Sequence, residues 1–322
     1  MYTSASYAET STTSASLSRK QHLPPLKREP IFGSLSPHLG TVLGDRYRLI
    51  QEVGRGSFGR VFQAVDMHKN NRIVAVKQLC LSLVSPNLRS VARQMFRCEI
   101  TALAHLAHPH IPRLHISYTD RDPWSFVFDF IDGEVLDNYL ERRGGLLPLA
   151  EVLDIGIQLC SVLNYLHTRQ IPILFRDLKP NNVMRLPNRQ IMLIDFGLAC
   201  PFTPDQIDTV ALGTRGFAAP EQYSGEYGQA YTTPRSDIYS LGVLLFYLLF
   251  GQLPSVQRTP VSPSSIQGQN SPAVSTTTMT VLSAMLEADP MCRPTGIGEV
   301  ARELHRLKSV VCRITLDLAQ IW

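Results

Sequence analysis

The segment Gly54-Arg-Gly-Ser-Phe-Gly59 is followed at once by Arg60-Val-Phe-Gln-Ala-Val65, and that adjacency restricts the fold more than any other feature of the chain. A GxGxxG run that binds a dinucleotide opens directly into a helix, whose N-terminus meets the pyrophosphate. Here the glycines run into a strand pattern, so they cap an antiparallel hairpin. Tyr47 to Val53, Arg60 to Asp66 and Arg72 to Leu79 are three short strand-forming runs separated by Gly-rich or Asn-containing turns. A helix is expected over Leu88 to Leu106, and a further strand around Ser125 to Phe130. The expectation is a small sheet with one helix.

After Gly133 the pattern changes. Pro148 opens an amphipathic helix in which Val152, Ile155, Leu159, Leu163 and Leu166 recur at three- and four-residue spacing, and Leu241 to Phe250 is apolar nearly all round. Met279 to Leu286 and Thr295 to Leu307 are also helix-like. The fold class is therefore α+β in two lobes: an antiparallel-sheet lobe at 45–129 and a mainly helical lobe at 133–310, joined by a hinge over Asp129 to Asp132. Residues 1–44 are rich in Ser, Thr, Ala and Pro without apolar periodicity and are expected to be a disordered arm. A Ser/Pro-rich interruption is expected at 255–278, and 311–322 is read as a tail.

Composition excludes several roles. The net charge of +4 is modest and the basic residues are scattered apart from Arg19, Lys20, Lys27 and Arg28, so no nucleic-acid partner is expected. The six cysteines form no CxxC pair, which argues against both a metal centre and a disulfide framework and fits a reducing cytoplasm. Cys200, close after Asp195, is read as a packing residue. The amino terminus has neither a basic start nor an apolar run, so it is no secretory signal. Leu241 to Phe250 is too short to span a bilayer, and no membrane segment is expected.

A glycine hairpin can lie over a triphosphate and offer it backbone N–H groups. An ordinary Gly-rich hairpin would look the same, but Val74-Ala-Val-Lys77 places a lysine on the next strand. Ala75 and Lys77 share a face there, leaving room for an adenine while the ammonium reaches the phosphates. Such a lysine needs an orienting carboxylate. Glu99 is the candidate, because it borders the apolar side of its helix marked by Phe96, Ile100 and Leu103, although a lone helical Glu is more often solvated. The richest polar block is Leu174-Phe-Arg-Asp-Leu-Lys-Pro-Asn-Asn-Val-Met184, followed by Ile191-Met-Leu-Ile-Asp-Phe-Gly197. Asp177 can accept the proton of an incoming hydroxyl and Lys179 can steady a transferred phosphoryl group. Asn182 and Asp195 offer hard oxygen ligands suited to magnesium.

With these residues in this order, the chain resembles the eukaryotic-like, or Hanks-type, serine/threonine protein kinases of bacterial kind, over roughly Tyr47 to Leu307. Ala219-Pro220-Glu221, Asp237 in Ser-Asp-Ile-Tyr-Ser-Leu-Gly, and Arg293 in Asp-Pro-Met-Cys-Arg-Pro also match. The resemblance implies transfer of the ATP γ-phosphoryl group to protein hydroxyls, with Mg2+ or Mn2+, and a role in signalling. Lys77, Glu99, Asp177, Lys179 and Thr214 would be catalytic and Asn182 and Asp195 would bind the metal. The phosphate side of the nucleotide would meet Val53, Gly54, Arg55, Gly56, Ser57, Gly59 and Lys77. Adenine would bond to the backbone of Asp129 and Ile131, behind which Phe128 guards the pocket, with Val61, Ala75 and Met184 against the ring. Glu221 and Arg293 would form an ion pair, Asp237 would anchor the catalytic loop, and Phe196 and Gly197 would belong to the metal loop. Gly213 to Glu221 would receive the substrate, with Thr214 bonded to Asp177 and Lys179, a serine/threonine feature.

The family's usual His before Arg-Asp is Phe175 here. Its expected role is packing, in an apolar column with Phe196, Leu103 and Leu114. Arg176 would bind an anion on the activation segment: either phosphate on Thr209, expected to be an autophosphorylation site, or the ready-made charge of Asp208. Thr203 and Asp205 are further candidates nearby. Two other readings stay open. One is a pseudokinase that binds without transferring, although inert relatives usually lose Lys77, Asp177 or Asp195. The other is a small-molecule kinase such as an antibiotic phosphotransferase, a class that lacks the Gly213 to Glu221 segment.

Overall fold

The computed structural model describes residues 39–56, 58–120, 122–204, 213–223, 231–254 and 275–319, with side chains described as far as residue 313. Six strands form the first sheet: β1 (Val42–Leu43), β2 (Tyr47–Arg55), β3 (Gly59–Asp66), β4 (Arg72–Leu79), β5 (Leu114–Tyr118) and β6 (Ser125–Asp129). Their order is β1-β2-β3-β4-β6-β5, every pair antiparallel. Alternation explains one layer of the core: Tyr47 and Leu49 of β2 are buried with Phe62 and Ala64 of β3 and Val74 and Val76 of β4. The opposite face carries Lys77, whose register partners are Val61 on β3 and Phe126 on β6. Ala75 stands two residues away on the same face, opposite Phe128.

Helix α1 (Arg89–His105) crosses between β4 and β5, burying Ala92, Phe96, Glu99 and Leu103. Beyond the hinge come α2 (Leu136–Arg142), α3 (Leu149–His167), α4 (Pro234–Phe250), α5 (Thr276–Met285) and α6 (Ile297–Ala319). Helix α4 is buried along nearly its whole length, as its uninterrupted apolar run requires. Thr233 caps it, Pro234 occupies its first turn, and Gly251 ends it in the left-handed region at φ 65°. Helix α3 has the length and composition of a membrane span. Nine of its residues are buried, and it packs against α4 and α6, so it is a core helix. One apolar cluster runs without a break from Phe96 and Phe126 of the sheet half, through Phe175 and Phe196, to α3, α4 and α6.

Three boundaries differ from the sequence reading. Val42–Leu43 lies inside the stretch expected to be a disordered arm, yet it pairs with Arg48 and Tyr47. Gly40 and Leu49 extend that pairing, the Gly40 N–H bonding to the Leu49 carbonyl and the Leu49 N–H to the Thr41 carbonyl. Two residues give no readable period, and the free edge of β2 supplies their partners. Helix α5 starts at Thr276, capped by Ser275, so the expected interruption closes before residue 278. Helix α6 continues to Ala319 rather than giving way to a tail at 311, because nothing in Lys308 to Ala319 breaks a helix.

The remaining strands are short. The three strands β7 (Glu134–Val135), β9 (Val183–Arg185) and β10 (Ile191–Leu193) pair in the order β10-β9-β7, while β8 (Ile173–Leu174) pairs with β11 (Cys200–Pro201). Between them these two small sheets hold the loops 175–182 and 194–199 at the junction of the halves.

Candidate active site

Lys77 leaves the centre of β4 and meets Glu99 of α1, its Nζ lying 2.7 Å from both carboxylate oxygens. A further bond of 3.2 Å runs from the same Nζ to Asp195 Oδ1. Burial pushes the Glu99 carboxyl up to about 7, even against the lysine that pulls it down. Burial also opposes charge on Lys77, but Asp195 and Glu99 outweigh it and hold the ammonium protonated. The Asp195 carboxyl is lowered, mainly by Lys77. Asp195 itself stands at φ 64°, a conformation uncommon for a residue with a side chain.

Asp177 is the meeting point of the second cluster. Its Oδ1 accepts the Thr214 hydroxyl at 2.7 Å, and its Oδ2 accepts Lys179 Nζ at 2.8 Å and Asn182 Nδ2 at 3.0 Å. Lys179 also donates to Thr214 Oγ1 at 2.7 Å. Asn182 spends its amide N–H groups on Asp177, the second going to the backbone carbonyl at 2.8 Å. With the nitrogen so placed, the amide oxygen is the atom left to act as a ligand.

The clusters rest on buried supports. Asp237, at the start of α4, accepts the backbone N–H of Phe175 at 2.9 Å and that of Arg176 at 2.8 Å, together with His167 Nε2 at 2.8 Å. These bonds hold Arg176 at φ 69° immediately before Asp177. Phe175 and Phe196 are fully buried, with ring centroids 5.2 Å apart edge to face, in the cluster that also holds Leu103 and, half-buried, Leu114. Glu221 and Arg293 form a two-point ion pair at 2.7 and 2.8 Å. Arg293 further donates to the carbonyls of Glu287, Ala288 and Arg235, so the buried guanidinium is well satisfied.

A cavity of about 210 Å³ lies between the glycine hairpin, α1 and these loops. Lys77, Glu99, Asp177, Lys179, Asp195 and Thr214 all line it, together with Gly56, Gly59 and Gly197. At Gly59 a Cβ would stand 2.3 Å from the Gln78 carbonyl oxygen, so the hairpin crosses β4 only with glycine there. The residues expected around adenine do not line this cavity. Val61 and Ala75 lie beneath the hairpin on β3 and β4, Phe128 ends β6 beside Asp129, and Met184 lies on β9 paired with Val135. Gly54 pairs with Val61, and Val53 stands at the bulge where β2 slips register. Arg55 turns back onto Glu52. Asp129 is tied from behind by Arg72 at 2.9 Å, His115 at 3.0 Å and the Arg113 N–H at 3.2 Å. The Ile131 carbonyl accepts the Gly133 N–H at 3.0 Å. Ser57, Asp205, Asp208 and Thr209 lie outside the described residues.

Sequence reasoning missed two contributors. Gln222 bonds to the Arg176 carbonyl, and Tyr223 donates its hydroxyl to the Gly213 carbonyl at 2.9 Å. Their only signal was adjacency to Ala219-Pro220-Glu221. Among the described residues no group of three or more His, Cys, Asp or Glu is placed to hold a metal by itself. Two hard oxygen donors, Asn182 and Asp195, suit Mg2+, which is commonly bound by one or two protein oxygens together with substrate phosphates.

The protein kinase domain matches residues 47–306. A probable serine/threonine-protein kinase PknB of Lactococcus lactis is 32% identical over 220 residues, 67% of this chain and 33% of that protein. The serine/threonine-protein kinase C of Synechocystis sp. is 32% identical over 277 residues, 82% of this chain and 50% of that protein. The serine/threonine-protein kinase PrkC of Bacillus subtilis is 31% identical over 226 residues, covering 70% and 33%. The chain thus spans a third to a half of the length of these relatives.

Proposed function

The chain belongs to the protein kinase domain family, and we propose that it transfers the γ-phosphoryl group of ATP to serine and threonine hydroxyls of proteins. The observation that carries this reading is the Asp177 carboxylate, which accepts a hydroxyl from Thr214 on one oxygen and an ammonium from Lys179 on the other. A substrate hydroxyl that reaches this carboxylate gives up its proton to it as the oxygen bonds to the γ-phosphorus, and the bond from phosphorus to the β-phosphate oxygen breaks, releasing ADP. Lys179 lies beside Asp177, where the transferred group carries negative charge. Lys77, oriented by Glu99, reaches toward the α- and β-phosphates. Asn182 and Asp195 would hold Mg2+ or Mn2+, which when bound neutralises charge on the phosphates. The hinge backbone of Asp129 and Ile131 would take the adenine, between Val61, Ala75 and Met184, with Phe128 behind.

The protein partners are its substrates, reached across Gly213 to Glu221. Six cysteines without a disulfide support a cytoplasmic setting, and phosphorylation of protein substrates is the chemistry by which the chain would act in signal transduction. Thr209 is the proposed autophosphorylation site, with Asp208 as the competing anion for Arg176. Phosphate absent from Thr209 in fully active protein, by mass spectrometry, would favour Asp208.

The test is incubation with labelled ATP and Mg2+, followed by phosphosite mapping on the protein and on lysate proteins. Wild type labels serine and threonine, and Asp195→Ala does not. Nucleotide binding without any transfer by the wild type would instead favour a binding module that has kept the fold.

A further inference from the structure

Gln222 follows the ion-paired Glu221 in a short helical turn and is completely buried. Its Oε1 accepts the Ala219 N–H at 2.8 Å and its Nε2 donates to the Arg176 carbonyl at 3.0 Å. The first bond stays within the turn. The second joins the substrate-side segment to the catalytic loop, at the peptide group that leads into Asp177.

That peptide group is held under constraint. Arg176 adopts φ 69°, and the Asp237 carboxylate holds its N–H. Gln222 engages its carbonyl, so the left-handed residue is fastened at both ends. Gly213, at φ 96°, passes so close that a Cβ there would stand 2.9 Å from the Arg176 carbonyl oxygen and 3.0 Å from Gln222 Nε2. The next residue is Thr214, which bonds to Asp177. The neighbouring Tyr223 holds the Gly213 carbonyl. Glu221, Gln222 and Tyr223 therefore tie one turn to the helical framework, the catalytic loop and the substrate segment respectively.

We propose that Gln222 is a positioning residue for phosphoryl transfer: its Nε2 bond to the Arg176 carbonyl sets the Arg176–Asp177 peptide plane, and with it the aim of the Asp177 carboxylate. Without that donor one of the two fastenings is lost, and the strained residue gains by rotating away. A carboxylate displaced by about 1 Å from its productive position can cost on the order of 100-fold in rate. Nucleotide binding does not depend on this bond, since Lys77, Glu99 and Asp195 reach the cavity from other elements.

The inference rests on the kinase reading, and wild type assayed beside Asp195→Ala separates the two: if wild type transfers no phosphate, the kinase reading itself fails. With an active wild type, Gln222→Met, which fills the same space without either polar atom, is expected to lower kcat on the order of 10- to 100-fold. Its KM for ATP should stay within about twofold, the mark of an interaction that serves the chemical step. A soluble Gln222→Met with kcat within about twofold of wild type overturns the proposal, as does an equal loss carried by KM for ATP. If that variant does not fold, Gln222→Glu decides, since it keeps the acceptor for Ala219 and can donate to Arg176 only while protonated. The ionisable groups around it are Arg176 and Asp177 of the catalytic loop, Glu221 and Tyr223 beside it and Asp237 of α4. Its kcat relative to wild type should fall as pH rises from about 6.5 to about 9, where a buried carboxyl gives up its proton. A ratio that is flat over that range overturns the proposal.

Discussion

Glu99 shows how one buried carboxyl can set the working range of the site. Burial pushes it up to about 7 from an ordinary value of 4.5, whereas the unfolded chain would release the same proton near that ordinary value. Between those two values the folded state holds more protons, so this group's contribution to stability falls as pH rises. The Lys77 ion pair behaves in the opposite sense, filling as Glu99 ionises. The expected result is a kcat/KM for ATP that climbs with pH around an apparent midpoint near 7. Glu99→Gln should lower activity and flatten that limb, which a pH-rate profile of both proteins would check. Phe175 makes a second case at this scale. Its ring is fully buried edge to face on Phe196, and its backbone N–H, rather than its side chain, meets Asp237. Phe175→His is therefore expected to stay active. Phe175→Ala should lose about 3–5 kcal/mol in chemical denaturation from the cavity it leaves. Loss of all activity in Phe175→His would refute a packing role.

At the level of elements, the start of α4 is the support on which the catalytic loop depends. Asp237 satisfies two buried backbone N–H groups and His167 at once. Asp237→Ala leaves those donors unpaired, at about 1–3 kcal/mol each, so a marked drop in the denaturation midpoint is expected together with loss of transfer. Helix α1 is held from both sides. Glu99 faces Lys77, while Arg93 and Arg97 lie over the Trp124 ring at 5.1 and 4.7 Å. Asp122 adds an ion pair to Arg93 at 2.7 Å. Long periodic elements were legible in the sequence: β4 runs from Arg72 to Leu79 as read, α1 begins and ends within a residue of expectation, and α3 opens directly after Pro148. Elements of two or three residues, such as β1, β8 and β11, were not, because pairing with a neighbour rather than any local pattern creates them.

For the molecule as a whole, residues far apart in sequence were readable as a site because each carries chemistry that a core has no use for. Lys77, Asp177, Lys179, Asn182 and Asp195 converge as their residue types implied, although 118 positions separate Lys77 from Asp195. The parts that stayed hidden act through backbone groups. Gln222 serves a carbonyl and Tyr223 another, and neither side chain announces its partner. The Lys77–Asp195 bond likewise depends on Asp195 standing at φ 64°, which no spacing rule foretells. The central claim is that Asp177 takes the substrate proton while the rest of the site holds phosphates and metal. Asp177→Asn tests it most directly, since the amide preserves shape and removes the base. In a comparison with wild type using labelled ATP and Mg2+, phosphoryl transfer should fall on the order of 100- to 10,000-fold with ATP affinity within about threefold of wild type. Transfer by Asp177→Asn at near the wild-type rate would contradict the account.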